Sequence, residues 1–149
     1  MKTCKICGKQ RKEEHFINGR AHCRIRPCPT YASMNEFQLQ EEFFKLIRAN
    51  KTLKDRVFAV PNGANVSTSV RSKMRKEGMT AGVWDILGLI PNSTYAGFMI
   101  EFKTVKGKLS ASQIEWEQKI NPTNKPYMEK VVFINPKLAY EWVLNYVSS

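Results

Sequence analysis

Apolar residues recur at helical spacing where the main body of the chain begins. The apolar face of this segment consists of Leu39, Phe43, Leu46 and Ile47, and two aromatic residues, Phe37 and Phe44, lie beside it. Residues three, four, seven and eight apart lie on one side of an α-helix, so the pattern predicts an amphipathic helix over residues 35–49.

Later segments have the composition or alternation typical of β-strands. The predicted strands span residues 56–60, 83–90, 98–105 and 130–134. Helices are predicted at 67–77 (ending at Gly78), from Ser110 to Pro122, and at 136–146. This order, α-β-(α)-β-β-α-β with a closing helix, predicts an α/β fold with a four-stranded sheet.

The composition changes near residue 30. Residues 1–30 hold all four cysteines, both histidines and few apolar side chains. Two prolines in the stretch 27–30 oppose regular structure and indicate a joint there. We therefore predict a small module at 1–30 and a globular domain at 31–149.

The cysteines of the first module form two short-spaced pairs. They are Cys4 and Cys7, then Cys23 and Cys28. Paired thiolates separated by a loop can collect a tetrahedral zinc ion, which would order a segment too small for its own core. We predict a structural zinc site, in which His22 or His15 could replace one cysteine. Reduced or disulfide-bonded cysteines are the alternative.

The charge balance favours a polyanionic partner. Lys and Arg number 24 against 13 Asp and Glu, a net charge of +11. Such an excess is typical of nucleic-acid binding, although it can also serve solubility alone. The predicted nucleic-acid-binding residues are Lys9, Arg11, Lys12, Arg24, Arg71, Lys73, Arg75 and Lys76. The four on the 67–77 helix could instead form a solvated face.

The chain carries no signal for a membrane or for secretion. No apolar run approaches the roughly 18 residues that a membrane span needs. The N-terminal segment is too charged for a secretory signal. We expect an intracellular, cytoplasmic protein.

Charged residues on two neighbouring strands are the candidate catalytic groups. Glu101 and Lys103 are two apart and share a strand face, while Ile100 and Phe102 face the core. Asp85 lies within an otherwise apolar strand, where a carboxylate is costly unless it is paired or metal-bound. A turn centred in residues 93–95 would place Asp85 opposite Lys103, with Glu101 one diagonal step away.

Such a cluster suits metal-assisted hydrolysis of a phosphodiester. Two converging carboxylates need a cation, and oxygen ligands favour Mg²⁺ or Mn²⁺. A neighbouring lysine can orient water or contact the phosphate. The competing interpretation is an exposed strand on which Glu101 and Lys103 make a weak ion pair.

Several motifs in order resemble the VRR-NUC domains, virus-type replication–repair nucleases of the PD-(D/E)XK superfamily. They are Val60-Pro61-Asn62-Gly63, Lys76-Glu77-Gly78, Ala81-Gly82-Val83-Trp84-Asp85, Ile100-Glu101-Phe102-Lys103 and Leu109-Ser110-x-x-Gln113-x-x-Trp116. The resemblance covers about residues 35–147. It implies a restriction-endonuclease-like core, a mixed four-stranded sheet flanked by helices.

The resemblance also implies roles for individual residues. Asp85 and Glu101 would bind the divalent metal together with the backbone carbonyl of Phe102. Lys103 would activate or position the attacking water, and Gln113 would lie near the active site. Glu36 best fits a glutamate that often completes the set, with Glu41 as second choice.

Two features depart from the family pattern. Trp84 stands where a proline is more usual before the aspartate. The cysteine module is not part of the core family and resembles zinc-binding appendages of small phage and bacterial nucleases.

Some of these residues also have simpler interpretations. Ser33-x-x-Glu36 and Ser110-x-x-Gln113 both match helix capping boxes, so Glu36 and Gln113 could satisfy helix amides. The aromatic residues Trp116, Trp142 and Tyr146 are predicted to lie in the core or an interface.

Taken together, the sequence predicts an Mg²⁺- or Mn²⁺-dependent DNA nuclease with a structural zinc module. Small stand-alone proteins of this kind often resemble Holliday-junction resolvases, so a branched substrate and a homodimer are further hypotheses. The alternative is a non-catalytic, zinc-containing nucleic-acid-binding protein. A third hypothesis is an adaptor that uses the zinc module on a protein partner.

Overall fold

The computed structural model describes residues 2–3, 10–11, 29–61, 66–121 and 127–149. The helices are α1 Pro29–Ala32, α2 Glu36–Ala49, α3 Thr68–Lys76, α4 Ala111–Ile120 and α5 Pro136–Val147. The strands are β1 Lys2–Thr3, β2 Gln10–Arg11, β3 Val57–Ala59, β4 Ile86–Gly88, β5 Gly97–Phe102 and β6 Met128–Phe133. No helix in these ranges is long and apolar enough to cross a membrane.

The four longer strands form one mixed sheet in the order β3-β4-β5-β6. Strand β4 pairs antiparallel with both of its neighbours, β3 and β5. Strands β5 and β6 pair parallel, and helix α4 connects them. The predicted α/β fold with a mixed four-stranded sheet flanked by helices is thus confirmed.

The main core lies between one face of the sheet and helices α2 and α5. Phe98, Ile100 and Phe102 alternate along β5, and all three are fully buried. The ring of Phe102 lies 5.5 Å from that of Phe43 on α2, and Phe98 lies 5.0 Å from Tyr146 on α5. Helices α2 and α5 therefore pack on the same face of the central strand, and residues 99, 101 and 103 belong to its opposite face.

The start of α2 differs from the prediction. Asn35 is the N-cap and forms a capping box with Gln38, so the predicted box of Ser33 and Glu36 is wrong. An asparagine cap two residues downstream competes successfully for the first helix amides and releases the Glu36 carboxylate. Phe37 is 74% exposed and does not join the apolar face.

The joint near residue 30 is also different. Helix α1, Pro29–Ala32, runs across it, because proline is tolerated in the first turn of a helix. Tyr31 is buried in the main core. The division into a module at 1–30 and a domain at 31–149 is still a prediction, because most of the first module lies outside the described residues.

The register between β4 and β5 differs from the prediction by two residues. Ile86 pairs with Ile100, which sets Asp85 opposite Glu101 rather than opposite Lys103. The turn between the two strands is closed by hydrogen bonds of Asn92, and its centre lies nearer the N-terminus than predicted. The Asn92 N–H donates to the Tyr95 carbonyl at 2.9 Å, and the Asn92 side chain accepts from the Tyr95 backbone N–H at 2.8 Å. A two-residue shift keeps every side chain on its predicted face.

Several predicted features fall outside the described residues. The turn at Asn62 and Gly63 is among them, as is Pro122, the predicted end of the helix that the structure assigns to Ala111–Ile120. The predicted zinc ligands and three of the predicted N-terminal basic residues also lie outside the described residues. They are Cys4, Cys7, Cys23, Cys28, His15, His22, Lys9, Lys12 and Arg24. The zinc site is therefore still a prediction.

Candidate active site

Glu101 is a carboxylate buried in the centre of the sheet. It lies on β5, between β4 and β6, and is 1% exposed. A buried carboxylate is unfavourable unless donors surround it. The donors come from three different elements of the fold, which makes Glu101 the centre of the candidate site.

Lys103 follows Glu101 on the same face, as the alternation predicts. Its Nζ donates to Glu101 Oε1 at 2.6 Å. The Lys103 backbone N–H donates to the carbonyl of Phe133 at 2.9 Å, which extends the β5–β6 ladder by one residue. The lysine side chain is 11% exposed, so a nearly buried ion pair lies at the end of the strand.

Gln113 contacts the same carboxylate from the first turn of α4. Its Nε2 donates to Glu101 Oε1 at 2.6 Å, while its Oε1 accepts from the Ser110 amide at 2.9 Å. The Ser110 hydroxyl in turn accepts from the backbone N–H of Gln113, which completes the predicted capping box. Gln113 is therefore both a helix cap and a partner of Glu101.

Asp85 meets Glu101 across the β4–β5 pair. Its backbone N–H donates to Glu101 Oε2 at 3.0 Å, and its carbonyl accepts from the Val60 amide at 2.8 Å. Asp85 lies immediately before β4 rather than inside it, and it is half-buried. The two carboxylate residues thus stand opposite each other at the end of the strand pair.

Glu36 approaches from the first residue of α2. Its Oε2 lies 3.5 Å from Lys103 Nζ, and its side chain is 41% exposed. Gly107 leaves room for it, since a Cβ there would lie 3.0 Å from Glu36 Oε1. Glu36, the first choice from the sequence, therefore reaches the cluster.

The electrostatic setting keeps Lys103 charged. Burial disfavours the ammonium form, whereas the hydrogen bond and the charge of Glu101 favour it. Glu36 and Asp85 add negative charge, and the net effect raises the pKa of Lys103 above its usual 10.5. Lys103 is therefore a fixed cation among acidic side chains.

The donor set fits a divalent cation that prefers oxygen ligands. A carboxylate has about four lone-pair sites, and Glu101 uses three of them on Lys103, Gln113 and the Asp85 amide. One site on Oε2, the oxygen nearer Asp85, is left for a metal ion. The Phe102 side chain is buried in the core and has no donor atom, so this residue could contribute only its backbone carbonyl.

Within the described part of the chain, no cluster of three or more acidic, histidine or cysteine side chains could hold a metal ion. Mg²⁺ is usually bound by one or two carboxylates and completed by water and substrate phosphate, which is fewer side chains than such a cluster holds. Asp85 and Glu101 are two carboxylate residues at opposed positions of the β4–β5 pair.

An open cleft of about 430 Å³ leads to this cluster. Its walls come from helix α3, the loop before β4 and the N-terminal turn of α4. The lining residues include Lys103 and Gln113 of the site, and also Arg71 and Arg75. Lys73 and Lys76, which the sequence grouped with these arginines, lie outside the lining.

Gly82 shapes the wall of the cleft and has no counterpart among the predicted site residues. Its φ is +83°, a left-handed conformation that favours glycine. A Cβ at this position would lie 2.0 Å from the Ser112 carbonyl oxygen. Gly82 thus allows the loop before Asp85 to touch the turn that carries Gln113. A lone glycine just before a strand was the signal available in the sequence.

A comparison with solved structures gives the class of fold. A structure named "VRR_NUC domain protein" is similar to this chain with a TM-score of 0.60. The alignment covers 77% of this chain and 89% of the other, at 17% sequence identity. At this identity the likeness shows the fold, which is that of the VRR-NUC structure. No protein-family model and no curated protein matches the sequence.

Proposed function

We propose that this protein is a divalent-metal-dependent DNA nuclease. The observation that carries the proposal is the position of Asp85 directly opposite the buried Glu101, with Lys103 bonded to the same carboxylate. Opposed carboxylate residues with an adjacent amine that lines an open cleft suit hydrolysis of a phosphodiester. The VRR-NUC fold and the net charge of +11 favour a nucleic-acid substrate.

Each residue has a distinct part in the proposed reaction. Asp85, Glu101 and the Phe102 carbonyl would hold Mg²⁺ or Mn²⁺, and when bound the ion supplies an activated water and neutralises charge on the phosphate. Lys103 holds its positive charge beside the attacked phosphate and orients the water.

Gln113 and Glu36 support this arrangement from two helices. Gln113 fixes the Glu101 side chain by donating to Oε1, so that Oε2 stays directed at Asp85. Glu36 holds the Lys103 ammonium on its other side, at 3.5 Å. Both therefore act on the orientation of the two central groups.

The N-terminal cysteine module is proposed to bind one structural zinc ion through Cys4, Cys7, Cys23 and Cys28. Its spacing supports this assignment. A closed four-cysteine site leaves no open coordination position, so the module would present basic residues to DNA rather than catalyse. Metal analysis of the purified protein should give one zinc per chain, and replacing Cys4 and Cys7 by serine should remove it.

The two aspartates of the chain provide a matched test of the nuclease proposal. Asp55 is exposed and distant in sequence from the site, whereas Asp85 faces Glu101. With Mg²⁺ and a labelled four-way junction or plain duplex as substrate, Asp85→Asn should lose cleavage and Asp55→Asn should keep it. Equal activity of the two variants would contradict the assigned role of Asp85.

The same assay separates the rival hypotheses. A non-catalytic binding protein would bind both substrates in a salt-sensitive way and cut neither of them. Preference for the junction over the duplex, with paired cuts, would support the branched-substrate hypothesis and a two-fold homodimer.

A further inference from the structure

Helix α3 carries four basic side chains, and the structure separates them into two pairs. Arg71 and Arg75 are four residues apart, so they lie on one face of the helix, and both line the cleft. Met79, which follows the end of the helix, lines the same cleft. This face of the helix therefore looks toward Lys103.

The other pair lies in a different environment. Lys73 is exposed and makes an ion pair with Glu77 at 3.8 Å on the helix surface. Lys76 is exposed and outside the cleft lining. The helix therefore presents two cations to the cleft and two away from it, although the sequence alone gives all four the same character.

We propose that Arg71 and Arg75 form a phosphate subsite that holds two neighbouring backbone phosphates next to the scissile one, on the same nucleic-acid strand. The inference rests on the proposed nuclease function and adds to it the route of the strand: between α3 and the first turn of α4, past Lys103. Lys73 and Lys76 take no direct part.

The side-chain chemistry fits this ligand. Arginine presents a planar fork of donors that matches two phosphate oxygens, whereas lysine offers a point charge. Two forks one helical turn apart can bind neighbouring phosphates of one strand without reading bases. The subsite should therefore add affinity and position for any DNA sequence.

Salt-dependent binding tests the subsite without any need for cleavage. Binding of fluorescent DNA would be measured in EDTA at several salt concentrations for Arg71→Gln/Arg75→Gln and for Lys73→Gln/Lys76→Gln. Both variants lose two charges and keep a good helix former. Loss of two phosphate contacts should reduce the slope of log K against log salt by roughly 1.4 to 1.8.

We expect this reduction only in Arg71→Gln/Arg75→Gln. The variant Arg71→Lys/Arg75→Lys, which keeps both charges, should retain most of the wild-type slope. Equal changes in the Gln variants would show a general charge effect and overturn the subsite. No change in the arginine variant would overturn it too, even if the wild-type protein cuts DNA.

Substrates with one neutral linkage locate the phosphate. A methylphosphonate placed next to the cleavage position should slow the wild-type protein about 10-fold, as expected for a lost charged hydrogen bond. In Arg71→Gln/Arg75→Gln the same linkage should have no further effect. If the variant is as sensitive as the wild type, the arginines do not contact that phosphate. Absence of cleavage by the wild type would refute the nuclease proposal, and the binding result would still decide the subsite.

Discussion

Gln113 Nε2 lies 2.6 Å from Glu101 Oε1, so a residue that caps a helix also fixes the central carboxylate of the site. The two roles use different atoms of one amide, since its oxygen accepts from the Ser110 backbone. The position of α4 and the orientation of Glu101 are therefore coupled.

This coupling predicts different effects for two changes in the capping box. Ser110→Ala removes a cap and should lower the free energy of unfolding by about 1 kcal/mol, with most activity kept. Gln113→Glu keeps a favourable capping residue but places a second carboxylate against Glu101. We expect it to reduce cleavage at least 10²-fold. Denaturant unfolding and cleavage rates for both variants check this, and similar rates would contradict the role of Gln113 in orienting Glu101.

The buried pair of Glu101 and Lys103 predicts that stability and activity can be separated. Glu101→Gln leaves the Lys103 ammonium without its main partner and should destabilise the protein by about 3 kcal/mol. The double variant Glu101→Gln/Lys103→Met removes the unpaired charge and should recover much of that loss. Cleavage should be absent in both. Recovery of activity together with stability would mean that Glu101 has only a structural role.

Gly82 and Gly78 form a matched pair of left-handed glycines. Both have positive φ, but a Cβ at Gly78 would meet nothing within 4 Å, whereas one at Gly82 would strike Ser112. Gly78→Ala should lose about 1 kcal/mol of stability from backbone strain alone. Gly82→Ala adds a backbone collision, so we expect a larger loss of stability and a strong loss of cleavage as α4 shifts. Equal behaviour of the two variants would show that the Gly82 contact is unimportant.

Tyr146 predicts a change of stability at alkaline pH. Burial, with Glu129 and Tyr95 nearby, raises its pKa from 10.0 to about 12. The folded state therefore favours the protonated phenol, and this contribution is complete below pH 10 and is lost as the pH rises through 12. The pKa of Lys103 is also raised, so its contribution to stability is likewise lost at high pH.

Tyr146→Phe isolates the tyrosine contribution. Among the described residues the Tyr146 hydroxyl is buried and has no hydrogen-bond partner. Its removal should stabilise the protein by about 1 kcal/mol at pH 7. The advantage of the variant should grow between pH 10 and 12, which guanidinium unfolding at pH 7, 10 and 11 can measure. A constant difference would contradict the raised pKa.

Much of the site could be predicted because β-strand alternation is a local property. Glu101 and Lys103 are two residues apart and were expected on one face, and their side chains indeed meet. The capping box at Ser110 is likewise encoded in four consecutive residues and is confirmed. Local patterns therefore identified the two main charged groups and one of their helix contacts.

The strand register and the orientation of α3 could not be predicted, because both depend on contacts between distant segments. The side-chain turn at Asn92 shifts the pairing of Asp85, and spacing alone does not reveal where such a turn closes. Similarly, Arg71 and Lys73 look alike in sequence. They are distinguished only by the orientation of α3, which places Arg71 in the wall of the cleft and Lys73 outside it.

The central claim is tested most directly by a nicking assay on supercoiled DNA, carried out with the wild-type protein, Lys103→Met and Lys106→Met. Lys106 is an exposed lysine three residues away, so its variant controls for the loss of one charge. We predict nicking with Mg²⁺ that stops in EDTA, is reduced at least 10²-fold by Lys103→Met and is unchanged by Lys106→Met. Nicking that persists in EDTA, or that Lys103→Met leaves intact, would contradict the assignment of this cluster as a metal-dependent active site.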